Sequence, residues 1–96
     1  MNSNIKEISN ILQKLNSTEE VMAFLNELLS DSEITTLSKR WRILTMLAEG
    51  RTQRDIVKEL NVSLCKVTRG SKILKTPNSI IAKYFIGDSK NGNKNS

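Results

Sequence analysis

Histidine is absent from this chain of 96 residues, and cysteine occurs once. Without histidine the sequence lacks the side chain that most readily exchanges protons near neutral pH and most often binds transition metals. A lone Cys65 cannot form an internal disulfide, so nothing points to an oxidising compartment. There is no glycine-rich phosphate loop and no clustered set of metal ligands. These absences predict a protein that is not an enzyme and holds no metal. Long apolar runs are missing too. The longest, Ile43 to Ala48, is interrupted by Thr45 and falls far short of the roughly 20 residues that span a bilayer. Met1-Asn2-Ser3-Asn4 has no basic patch leading into an apolar stretch, so no signal peptide and no membrane association are expected, and the location implied is cytoplasmic. Aromatics are scarce. The four present, Phe24, Trp41, Tyr84 and Phe85, all stand at helical core spacing, which argues against the stacking platform that readers of single-stranded RNA present.

What is present is charge, unevenly spread. The net charge is +5. Residues 1–35 carry two lysines against six acidic side chains, a balance of −4, whereas residues 36–75 carry ten basic against three acidic side chains, a balance of +7. Residues 76–96 add +2. A basic middle segment beside an acidic arm suits a surface that meets a polyanion.

Every strong periodicity is helical. Ile5, Ile8, Ile11, Leu12 and Leu15 form one apolar stripe, broken at Asn16. Ser17 with Glu20 fits a capping box for a helix bearing Val21, Phe24, Leu25, Leu28 and Leu29. Ser30 with Glu33 opens a third helix, with Ile34, Leu37, Trp41, Leu44 and Leu47 expected inward and Gly50 at its end. Thr52 starts a fourth helix with Ile56 and Leu60 inward. Ser63 caps a fifth with Leu64, Val67 and Leu74 inward, and Thr76-Pro77 is expected to open a short sixth. The predicted class is all-α with six helices. Residues 1–86 form one domain, and the polar stretch 87–96, having nothing apolar to bury, is expected to be a disordered tail. The stripes at 5–15 and 21–29 exceed what a bundle of this size can cover, which predicts a homodimer.

Residues 52–71 have the spacing of a helix-turn-helix. One helix ends at Leu60, Asn61-Val62 supplies a tight turn, and Ser63 caps the next helix four residues before Val67. Asn61 suits the turn because asparagine accepts a positive φ at low cost. Ile56, Leu60, Val62 and Val67 would fix the angle between the helices. Gln53, Arg54 and Lys58 then project from the first, and Leu64, Cys65, Lys66, Thr68, Arg69 and Lys75 from the second. In this motif the second helix enters the major groove of double-stranded DNA while the first crosses the backbone. Phosphate contacts are expected from Gln53, Arg54 and Lys58, and base contacts chiefly from Cys65, Lys66 and Thr68.

The run Gln53-Arg54 … Val67-Thr68-Arg69-Gly70-Ser71 … Leu74-Lys75 resembles the Trp repressor family. The likeness extends back through Leu25-Asn26, Leu29-Ser30-Asp31-Ser32-Glu33, Arg40-Trp41-Arg42-Ile43 and Glu49-Gly50. Thr-Arg-Gly-Ser inside a helix is an unusual string. The resemblance implies an intertwined dimer whose outer helices interlock, operator DNA as partner and repression as activity. It also implies L-tryptophan as corepressor between the central core and the reading head. Arg40 and Arg69 match the arginines that flank the indole, and Arg69 also matches the carboxylate partner. Leu29 and Ser30 match a turn that contacts the ligand, and Gly70 matches the glycine that leaves room for the ring. Glycine within a helix costs about 0.5–1 kcal/mol relative to alanine, so its missing side chain should serve a purpose, either ligand space or a close helix crossing. Val57 departs from the family in standing where a smaller residue is usual. Lys66 replaces a threonine of the pocket, Ile73 a small hydroxyl residue near the ligand amino group, and Glu27 an apolar residue. A lost buried polar partner at Ile73 could cost about 1–3 kcal/mol of binding. Two alternatives remain open from the sequence: a DNA-binding member of the superfamily that ignores tryptophan, and a helical module that binds RNA or protein.

Overall fold

The computed structural model describes residues 3–93, with side chains through Ile86. The elements are α1 (Ser3–Lys14), α2 (Thr18–Leu28), α3 (Asp31–Ala48), α4 (Gln53–Leu60), α5 (Leu64–Lys75) and α6 (Ile80–Asn93), with no strand among the described residues. The chain is therefore all-α with the six helices that the periodicities predict. It divides into two units, residues 1–35 and 36–96, with the boundary inside α3.

In the first unit local chemistry sets the helix ends. Ser17 Oγ accepts from the Glu20 backbone N–H at 3.1 Å, while the Glu20 carboxylate accepts from the Asn16 N–H at 2.7 Å. Ser30 and Glu33 form the reciprocal pair in full, at 2.9 and 3.2 Å. Neither α1 nor α2 buries a residue. Ile5 and Ile11 of the first stripe and Leu28 of the second are each about half exposed, and the other stripe residues are only part-buried, so neither stripe is fully covered.

The second unit holds the core. Gly50 leaves α3 at φ +91°, a conformation that a side chain would strain. Thr52 and Ser63 cap α4 and α5, their hydroxyls accepting from the backbone of Asp55 and Lys66. Between these helices Asn61 sits in the left-handed region at φ 55°, as the turn requires. Ile43, Met46, Ile56 and Val67 form a fully buried cluster, with Leu47, Val57, Leu60 and Val62 packed around it. Val57 is thus accommodated: its branch adds to the apolar seam between α4 and α5. Outside this seam Arg51 reaches across to Glu59 at 2.6 Å and lies 4.0 Å from Asp55.

Four expectations are corrected. Trp41 and Leu37 face outward, each 46% exposed, because α3 turns Ile43, Leu44 and Met46 to the core and leaves its earlier turns beside an unfilled cavity. Leu64, read inward by its stripe and outward with the projecting residues of the second helix, is 57% exposed: at the first position of α5 it lies ahead of the seam, and the inward reading falls. Thr76-Pro77 does not open the last helix. Thr76 ends α5, donating its hydroxyl to the Lys72 carbonyl, and Asn78 turns the chain at φ 66°. Ser79 then caps α6 by accepting from Ala82 N–H at 3.1 Å. Tyr84, taken as core, is exposed, yet its ring meets Trp41 and Phe85 at centroid distances of 5.7 and 5.1 Å. The backbone of α6 runs to Asn93, within the stretch 87–96 expected as a tail. Residues 94–96 of that expected tail lie outside the described residues.

The Arg51–Glu59 pair gives a test of how α4 is braced. Hydrogen bonding to Arg51 holds the Glu59 carboxyl below its ordinary range. A depressed carboxyl stabilises the fold above its unfolded-state pKa, and the contribution is lost as pH falls through the folded-state value. Glu59→Gln should therefore lower the melting temperature slightly at pH 7, with the difference from wild type vanishing in acid. Calorimetric melts across pH 3–7 check this; a pH-independent difference would remove the ion pair from the account.

Candidate functional site

Two surfaces of the second unit gather the residues singled out in the sequence. The first is the outer side of α4 and α5. The seam of Ile56 and Val67 sets the angle between the helices, and Gln53 links them directly, accepting from the Thr68 hydroxyl at 3.3 Å. Arg54, Lys58, Leu64, Cys65 and Thr68 are exposed around this link. Along α5 the sequence places Cys65, Thr68, Lys72 and Lys75 at intervals of three and four residues, which is one exposed helical face. Lys72, not singled out in the sequence, shares this face. Its spacing of four from Thr68 was the signal that could have found it.

The second surface is a cavity of about 660 Å³ between α3, α5 and α6, all within residues 36–96. Trp41, Leu44, Ile73 and Ile81 contribute an apolar lining, and Arg40, Lys66 and Arg69 contribute three cations. Lys66, Arg69, Gly70 and Ile73 recur at three and four residues along α5, so they share the side that faces the cavity. Lys66 thus belongs to this lining, at the edge of the outer face where base contacts were expected. Trp41 stacks on Phe85 at 5.2 Å, which anchors the cavity wall to α6.

Gly70 serves the fold as well as the cavity. A Cβ placed there would come within 3.1 Å of Ile43 Cγ2 and 3.3 Å of Leu47 Cδ1. The absence of a side chain therefore permits the close crossing of α5 on α3. Arg40, Arg69 and Gly70 are brought together at the cavity; Leu29 and Ser30 are not among its lining side chains. Ser30 is occupied as the cap of α3, its hydroxyl accepting from Glu33 N–H.

Among the described residues no group of histidine, cysteine and carboxylates is arranged to hold a metal ion, and no helix is long and apolar enough to cross a membrane. A braced helix pair with an outward basic face, beside an apolar cavity, defines a small all-helical protein with a surface suited to a polyanion. The family model described as Trp repressor protein matches residues 3–85. Proteins named Trp operon repressor homolog from Xylella fastidiosa strains M23, Temecula1 and 9a5c are each 36% identical over 69 residues, covering 71% of this chain and 75% of theirs. No significant match to a solved structure was found. The chain belongs to the Trp repressor family, a family of DNA-binding regulators and not of enzymes.

Proposed function

We propose that the chain is a cytoplasmic, homodimeric transcriptional repressor that binds double-stranded operator DNA through a helix-turn-helix and responds to L-tryptophan as corepressor. The observation that carries the reading is the α4–turn–α5 unit: a left-handed Asn61, a buried Ile56–Val67 seam, and an outward face of Arg54, Lys58, Cys65, Thr68, Lys72 and Lys75. In this reading α5 enters the major groove while α4 spans the backbone. That is the docking geometry known for helix-turn-helix proteins, among which the Trp repressor is a standing example. Dimerisation is supported by the apolar stripes of α1 and α2, which hold no fully buried residue. The intertwined arrangement of the family would cover them.

L-Tryptophan is the effector that the family suggests, with its ring between Arg40 and Arg69 beside Gly70 and its carboxylate on Arg69. Ile73 and Lys66 in the lining weaken the place for an ammonium group, so tryptophan should bind less tightly here than is usual in the family. They also favour a second reading, in which the protein binds operator DNA without tryptophan.

Light scattering and anisotropy titrations test these statements together. The protein should be a dimer at micromolar concentration. It should prefer a pseudo-palindromic duplex with half-sites about one helical turn, roughly 34 Å, apart. Millimolar L-tryptophan should raise the affinity for that duplex, and by reciprocity the duplex should tighten tryptophan binding. A monomer, or failure to discriminate among duplexes, would overturn the DNA-binding reading. Equal affinity with and without tryptophan would leave the ligand-independent one.

A further inference from the structure

The cavity carries a charge pattern that a zwitterion does not satisfy. Arg40, Lys66 and Arg69 line it, and the lining contains no aspartate or glutamate. Among the described residues none of these three side chains makes an ion pair or side-chain hydrogen bond, and the ion pairs there belong to Arg51. The apolar part of the lining, from Trp41 to Ile73, has room for a ring. At the point nearest Lys66 and Arg69 on the helix, Ile73 offers nothing to an ammonium group.

We propose that this cavity takes an aromatic dianion, a ring bearing either a phosphate or two carboxylates, in preference to an amino acid. The proposal rests on the cavity being an effector site, as argued above, and it changes the class of effector. The ring lies on the apolar lining beside Trp41. Two anionic oxygens of the dianion engage Arg40 and Arg69, whose guanidinium groups suit planar bidentate anion recognition. A further oxygen, of the same phosphate or of the second carboxylate, engages Lys66, a compact cation on a flexible stem at the first turn of α5. An α-ammonium would instead stand among three cations with no carboxylate to receive it, and like charges at short range repel. Lys66 is the residue that separates the two ligand classes, since it supplies the third cation. It is a specificity determinant, and its test must divide dianion binding from binding of any anion.

Calorimetry on the full chain with four probes performs that division: phenyl phosphate, phenylsuccinate, phenylacetate and L-tryptophan. Near pH 7.5 the first two carry nearly two negative charges, a phosphate monoester having its second pKa near about 6. Phenylacetate carries one, and tryptophan carries none net. Trp41 is the single tryptophan of the chain, so its fluorescence reports directly from the cavity wall. Both dianions should bind about tenfold more tightly than phenylacetate, one further charge-assisted contact being worth about that factor, and each should perturb Trp41 emission. The tighter of the two identifies whether phosphate or paired carboxylates supply the charge. Lys66→Gln should abolish the tenfold margin and leave phenylacetate affinity within about twofold. Inorganic phosphate should not alter Trp41 emission, because it leaves the apolar lining unfilled. The proposal is overturned if the dianions bind no better than phenylacetate, if Lys66→Gln weakens every probe alike, or if inorganic phosphate matches phenyl phosphate. Binding by L-tryptophan alone would overturn it while the effector site stands. Binding by none of the probes, with duplex DNA still bound, would remove the effector site as well.

Discussion

Replacing Ile56 by alanine should destabilise the protein by about 2–5 kcal/mol, the range found for removing a large aliphatic side chain from a packed core. Ile56 is fully buried and meets Ile43, Met46 and Val67, so the cavity left behind has walls on three helices and little freedom to collapse. Small domains have total stabilities of about 5–15 kcal/mol, so the variant should lose a large share of its folded margin. Urea denaturation should show a lower midpoint with an unchanged slope. Operator binding should fall with it, because the same cluster holds α4 and α5 at their mutual angle. Leu64→Ala is the control. Its side chain lies outside the seam, so the midpoint should move by less than about 0.5 kcal/mol. An equal loss in the two variants would mean that Leu64 is packed as its spacing in the sequence suggests.

That contrast shows where the sequence was legible. Capping chemistry acts over three or four residues, so Ser17, Ser30, Thr52 and Ser63 could be found by inspection, and each does cap its helix. Asn61 was legible for the same reason, since its backbone conformation is a local property. The start of α6 was not. Pro77 is a strong local signal, but Asn78 adopts the left-handed turn first and leaves Ser79 to act as the cap. The face of α3 was harder still. The series Leu37, Trp41, Leu44, Leu47 and the series Ile43, Met46, Leu47 are both helical stripes, and only the position of α4 and α5 decides that the second meets the core. Leu37 and Trp41 stand at core spacing; they form a cavity wall because no described residue fills the space they face. Gly70 carried a true signal with two meanings. Its missing side chain serves a close crossing with Ile43 and Leu47 and also borders the cavity, and periodicity cannot separate these uses. Lys66 shows the converse: the sequence gives it two roles, as a groove-facing residue and in the pocket, and its side chain is exposed yet lines the cavity, at the border between the two faces of α5.

DNA binding by the wild-type protein should be steeply salt-dependent. Each phosphate neutralised by lysine or arginine releases condensed counterion, so the logarithm of affinity falls with the logarithm of salt at about −0.9 per contact. A dimer that uses Gln53, Arg54, Lys58, Lys72 and Lys75 of both chains would neutralise about six to eight phosphates with its cations. Affinity should then drop about 10³–10⁵-fold between 50 and 200 mM salt. Arg54→Ala removes one cation per protomer and therefore two per complex. It should flatten the slope by about 1.8 and weaken binding to every duplex by the same factor. Thr68→Ala should behave differently. Its hydroxyl carries no charge and is held by Gln53 on the outer face of α5, so the slope should persist. The ranking of operator variants should change instead, by about 1–3 kcal/mol at one base pair of each half-site. Anisotropy titrations of both variants, over a salt series and a panel of single-base substitutions, distinguish the two effects. If Thr68→Ala weakens all sequences uniformly, α5 lies along the backbone, and the reading element must be sought elsewhere.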